Sequence, residues 1–209
     1  MEVTSNTIQE LIESGLQNSY SYQEYRTLVS DLLKDGLSTG QEQSEALTNY
    51  STLNNRRMKR LDKTIKIGTI VEDVFSNMLL SDKITWLVLT EGWCGDAAQS
   101  LPVINKLAEL NEKIDLRIIF RDENDELMNN FLTNGSKSIP KLIAYNNETK
   151  EVLGSWGPRP SIATKMVIDY KAEHGTLDPE FKQDLQVWYN ENKGKNIVED
   201  LFKMVSESH

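Results

Sequence analysis

Residues Ile84-Thr85-Trp86-Leu87-Val88-Leu89 form an apolar run that leads directly into Glu91-Gly92-Trp93-Cys94-Gly95-Asp96-Ala97. Continuous apolarity, rather than alternation, predicts a central strand covered on both faces. The stretch from Ala97 to Leu110 reads as a helix, and the alternating Ile114 to Phe120 as the next strand. Together they predict a βαβ unit with a right-handed crossover. Cys94 is the only cysteine of the chain and sits at the strand-to-helix junction. Free N–H groups and the positive dipole end of a helix favour a thiolate there. Such surroundings lower a cysteine pKa from about 8.5 to roughly 3.5–7.5. The alternative is an inert, buried structural cysteine.

Trp93-Cys94-Gly95-Asp96-Ala97 resembles the Trp-Cys-Gly-Pro-Cys box of thioredoxins, with Ala97 in place of the second cysteine. Pro102, eight residues after Cys94, stands where thioredoxins carry a kinking proline. Ser138-Ile139-Pro140, before the apolar Leu142 to Tyr145, resembles the cis-proline loop that faces the thioredoxin site. The resemblance spans Ile84 to Lys171. The whole chain is similar to small bacterial thioredoxin-family proteins that add helices on both sides of this core.

The 209 residues suit one domain or one domain with a sizeable extension. With 23 basic against 32 acidic residues, a net of −9, the chain is poorly suited to bind nucleic acid or anionic membrane. The start, Met1 to Asn6, shows no basic and apolar leader pattern, and no run approaches the ~20 residues of a membrane span. One cysteine forms no disulfide within the chain, so a reducing cytoplasm is the expected setting.

Residues 1–66 read as helical: a short segment around Leu11, Ile12 and Leu16, then Tyr22 to Leu33 stopped by Asp35-Gly36. After a Ser38-Thr39-Gly40 turn, a third helix runs to about Lys63. Leu47, Tyr50, Met58 and Leu61 make its apolar face, interrupted by Asn54. Its basic cluster Arg56, Arg57, Lys59 and Arg60 reads either as a solvated face or, through Arg57, as an anion site turned toward the thiol. A fourth helix is expected over Ile70 to Met78, leading through Leu79-Leu80. Asp122 or Asn124 is expected to cap a helix from Asp125 to Leu132. Lys141 to Tyr145 and Glu151 to Ser155 read as a hairpin. Ser161 to Glu173 then reads as a helix packing on the sheet, followed by Phe181 to Tyr189 and a last turn or two at Ile197 to Val205.

The candidate nucleophile is Cys94. Asp96 is expected to stabilise the helix through its dipole while raising the Cys94 pKa by its charge. Trp93 is expected to cover one side of the sulfur. The resemblance implies that Ile139 presents its backbone to an extended substrate beside a cis Pro140, with Trp93, Gly95, Asp96, Ala97 and Arg159 as further substrate-binding candidates. A trans proline opening an edge strand is the plain alternative. Arg159 reads as a contact to substrate, a partner for an acid such as Glu91, or a surface arginine between two prolines.

Departures from the thioredoxin pattern narrow the chemistry. Ala97 removes the resolving thiol, and Val88 replaces the buried aspartate that many thioredoxins carry six residues before the nucleophile. A dithiol cycle within one chain is excluded. Leu87 stands where a peroxiredoxin box has proline, and the two histidines, His174 and His209, suit no Cys-His hydrolase. The Cys-Gly-Phe-Ser box of monothiol glutaredoxins, some of which hold an iron–sulfur cluster, matches only loosely. No metal-ligand spacing or phosphate loop is present, so no cofactor is expected.

The expected fold is α/β: a thioredoxin-like core with a mixed sheet over 81–174, an α-helical N-terminal extension over 1–80 and C-terminal helices over 175–209. Two functions follow. One is thiol–disulfide exchange through Cys94, by mixed disulfide with a disulfide- or thiol-bearing protein or a low-molecular-weight thiol. The other is a redox-inactive binding or adaptor module using the same groove.

Overall fold

A computed structural model describes residues 6–78 and 80–206. The expectations on Met1 to Ser5, Leu79 and His209 lie outside the described residues. Strands β1 (Ile84–Thr90), β2 (Ile114–Phe120), β3 (Lys141–Asn146) and β4 (Val152–Trp156) form a sheet in the order β2-β1-β3-β4. The β1–β2 pair is parallel, and β1–β3 and β3–β4 are antiparallel. β1 is buried along its whole length, which is why its sequence is continuously apolar rather than alternating. Trp86, Leu87, Val88 and Leu89 have no exposed surface, each contributing about 2 kcal/mol by removal from water.

Helix α5 (Gly95–Ala108) links β1 to β2. It starts two residues before Ala97, because Cys94 itself serves as its N-cap, and ends before Leu110, with Glu109 as its C-cap. Pro102 sits inside it, where it removes one backbone donor.

Helices α1 (Ile8–Gln17), α2 (Tyr22–Lys34) and α3 (Glu45–Thr64) precede the sheet. Thr7 with Glu10, and Ser21 with Glu24, close capping boxes that start α1 and α2. Between them Tyr20 exchanges two 2.8 Å backbone hydrogen bonds with Ile118, covering the outer edge of β2. The buried face of α3 is Ser51, Asn54, Met58 and Leu61, while Tyr50 is 60% exposed. The expected apolar stripe is thus shifted: α3 buries polar residues because it docks on the backbone around Gly92, whose carbonyl accepts from Asn54 at 3.1 Å.

Helix α4 is Thr69–Ser76, shorter than expected. Helix α6 covers only Asp125–Asn129 and has no side-chain cap. Asn124 instead donates to the Phe120 carbonyl, and Asp122 lies in a 3₁₀ turn, Arg121–Glu123, bound to Arg121. Helices α7 (Ser161–His174), α8 (Pro179–Asn192) and α9 (Lys195–Ser206) complete the chain. α9 is a full helix rather than a turn or two, and it, not α7, packs on β4 and beside α5. Ala163 and Val167 of α7 join Phe181, Leu185 and Tyr189 of α8 in a smaller cluster of their own. Among the described residues, no helix is long and apolar enough to cross a membrane.

Candidate functional site

The chain leaves β1 at Thr90, turns through Glu91-Gly92-Trp93 and enters α5 at Cys94. The turn closes with a Cys94 N–H to Glu91 carbonyl bond of 3.1 Å. As N-cap, Cys94 points its sulfur back at the first helical turn, where the Ala97 N–H donates to Sγ at 3.5 Å. The thiol itself donates to the Ile139 carbonyl at 3.3 Å. Cys94 is buried, with 8% exposure, as are Ala97 and Ile139.

The Ile139–Pro140 bond is cis. That loop rests against Gly157, whose φ is +112° and where a Cβ would meet the Pro140 carbonyl oxygen at 2.1 Å. Only glycine fits at this approach, so Gly157 holds the loop in its place opposite the sulfur. Gly157 is itself followed by a second cis proline, Pro158.

The electrostatics differ from the expected activated thiolate. Burial pushes the Cys94 thiol up, and the neighbouring Asp96 carboxylate adds to it. The N–H groups of Ala97 and Asp96, and then Arg159, pull the other way. The balance leaves Cys94 at about 12. The helix end contributes as the sequence suggested, but desolvation is the larger effect. In its resting geometry the group is a thiol.

Asp96 is more than a first-turn carboxylate. It pairs with Arg159 at 2.7 Å and accepts from the Tyr189 hydroxyl at 3.1 Å. Burial raises its pKa against the pull of Arg159 and Tyr189. Arg159 therefore pairs with Asp96, not with Glu91, and its Nε is buried without a partner among the described residues. Arg57 reaches the same corner. Its Nη1 lies 3.8 Å from where a Gly95 Cβ would stand, and it donates to Asn54 at 2.8 Å.

On the other side of Cys94, Glu91 is fully buried. It accepts from the Thr39 hydroxyl and, at 3.1 Å, from the Asp122 N–H. Burial raises its pKa, and these two donors offset part of the rise. Thr39 also accepts from the Gly92 N–H at 2.8 Å, so the turn before α3 latches the loop that carries the cysteine. The Trp93 ring packs on the Arg121 guanidinium, 4.9 Å from its centroid, at a cleft shared with Asp122 and Asp125.

Cys94, Gly95, Asp96, Ala97, Ile139, Pro140 and Arg159 thus converge, while Trp93 faces the Arg121 side. Thr39, Gly157 and Tyr189 were not legible as members. Glu91 had a sequence signal, an acid directly after a continuously buried-reading strand.

A family model described as thioredoxin matches residues 40–171, taking in α3 as well as the sheet. No curated protein matches the chain. Among solved structures, the fold is similar to a protein of unknown function from Pseudomonas aeruginosa. That likeness has 16% identity and a TM-score of 0.58, covering 91% of this chain and 99% of that one. An HIV epitope scaffold is also similar, at 16% identity and a TM-score of 0.55, with 90% and 98% covered. With the family match spanning most of its length, the chain belongs to the thioredoxin family.

Proposed function

We propose that this is a one-cysteine thiol–disulfide exchange protein, with Cys94 as the exchanging group and the Ile139-Pro140 loop as the docking wall. The apposition of the Cys94 sulfur and the Ile139 carbonyl, 3.3 Å apart, carries the reading. A disulfide whose backbone pairs with Ile139 is brought onto the sulfur. The Cys94 thiolate attacks one sulfur of R–S–S–R′; a Cys94–S–S–R bond forms, and R′S⁻ leaves and takes up the proton. An external thiol then attacks the mixed disulfide, restoring Cys94 and completing the swap. Ala97 offers no internal thiol to do this.

The raised thiol sets the tempo. From 9.0 to about 12 the thiolate fraction falls by roughly three orders of magnitude, while its intrinsic nucleophilicity rises. The net is exchange about fiftyfold slower than a free cysteine unless docking breaks the bond to Ile139. That same burial favours a second reading, a binding module that uses the groove without turnover. In the first reading the partner is a disulfide- or thiol-bearing molecule in a reducing compartment, the cytoplasm. Residues 81–174 then act as the exchange core, with 1–80 and 175–209 as its helical flanks.

Incubation with 2-hydroxyethyl disulfide, followed by intact-mass analysis, tests it. One adduct, absent in Cys94→Ser and removed by excess thiol, is the expected result. No adduct on the native chain, with ready labelling of the unfolded one, leaves the binding module.

A further inference from the structure

The corner beyond Asp96 carries more positive charge than its acids use. Although the chain has a net charge of −9, Arg57, Arg60, Arg159 and Lys193 gather around Tyr189 and Gly95. Arg159 is matched by Asp96. Arg57 and Arg60 instead donate to neutral oxygens, those of Asn54 at 2.8 Å and Asn190 at 2.7 Å. Among the described residues neither forms an ion pair.

Arg57 is half-buried, and burial together with Arg60 lowers its pKa. Asp96 acts on the Arg57 charge from a distance, but it is paired directly with Arg159, and the hydrogen-bond partner of Arg57 itself is a neutral amide, which leaves a partly desolvated guanidinium incompletely matched. The disadvantage is offset when a carboxylate arrives to take a charge-assisted bond. The Arg57 Nη1 also lies beside Gly95, the first residue of α5 and one position past the sulfur-bearing Cys94.

Beside this corner, one helical turn along α3 from Arg57, a cleft of about 300 Å³ lies between α3 and α8. Leu61, Ile65 and the Tyr189 ring provide apolar wall, and Arg60 and Lys193 stand at its rim. Tyr189 ties this cleft to the thiol corner through its bond to Asp96. The volume is at the small end for ligand sites, which favours a compact molecule over a protein loop.

We propose that Arg57, with Arg60 and Lys193 along the cleft, selects low-molecular-weight disulfides or thiols that carry carboxylates. The inference rests on the exchange reading for its chemistry but not for its charge selectivity. Arg57 is a substrate-binding residue in this account, and the arginines take no part in the electron bookkeeping of exchange.

The test compares two alkylating agents of equal chemistry and different charge. Iodoacetate and iodoacetamide rates at Cys94 are measured on the native chain, and their ratio is divided by the same ratio on the unfolded chain. A native preference for the anion of about fivefold is expected from one nearby unmatched charge. It should fall to about one in Arg57→Gln, survive in Arg57→Lys and shrink in high salt. A native ratio no higher than the unfolded one, or one that Arg57→Gln leaves unchanged, overturns the proposal.

Should native labelling be too slow to read, calorimetry with the unreactive dianion 3,3′-thiodipropionate replaces it. Saturable binding that Arg57→Gln abolishes supports the site, and its absence overturns it. Parallel incubation with 2-hydroxyethyl disulfide separates the two claims. Anion preference without any mixed disulfide keeps the site and defeats exchange. A mixed disulfide without anion preference does the reverse.

Discussion

Two acids flank Cys94, and their surroundings differ. Glu91, three residues before it, is fully buried and held by neutral donors, the Thr39 hydroxyl and the Asp122 N–H. Asp96, two residues after it, keeps 12% of its side chain exposed and is matched by the full charge of Arg159. Burial raises both pKa values. The difference lies in what each acid ties together. Glu91 joins the cysteine loop to the turn before α3, while Asp96 joins the start of α5 to Arg159 and to α8. The first is a hydrogen-bonded latch that tolerates a neutral carboxyl. The second needs its counter-charge, and its own charge bears directly on the sulfur.

Arg159→Met breaks this comparison most severely. It leaves the largely buried Asp96 without its direct partner and with only the more distant Arg57, and a loss of about 3 kcal/mol is expected by chemical denaturation. The double variant Arg159→Met/Asp96→Asn should recover most of that loss. A single variant as stable as the parent would show that solvent, not Arg159, balances Asp96. Thr39→Val should cost less, about 2 kcal/mol, by leaving one donor and one acceptor of the latch unmatched. Its readout is twofold: the denaturation midpoint, and faster amide exchange at Gly92, whose N–H loses its acceptor. Unchanged protection at Gly92 would mean that the latch does not hold the loop.

The sheet and α5 were legible because their signals are local. An unbroken apolar strand, a junction cysteine and a hairpin between turn residues need no distant partner to be read. The site was legible only along its own segment. Arg159 lies 63 residues from Asp96, and nothing in either stretch says that they meet. Helix α3 misled for a related reason. Tyr50 belongs to the apolar spacing but faces solvent, while Asn54 is buried because a backbone carbonyl 38 residues away needs a donor. The exchange of roles between α7 and α9 has the same origin. Both are helices of suitable length, and sequence spacing does not say which reaches β4.

At Cys94 burial outweighs the helix end. Helix-end donors do reach the sulfur, but the strength of desolvation depends on how closely Ile139 and Ala97 cover it. Packing across 45 residues of sequence sets that cover.

The most direct test of this account is the rate of Cys94 alkylation by neutral iodoacetamide on the native chain, followed against pH. The folded pKa is raised, from 9.0 to about 12, so the native protein holds its proton above the pH at which the unfolded chain loses it. The rate is therefore predicted to be slow at neutral pH and to rise about tenfold per pH unit through pH 9 without a plateau, while the unfolded chain levels off near its ordinary value. Fast labelling with a plateau below about 8.5 would contradict it and show a stabilised thiolate at Cys94.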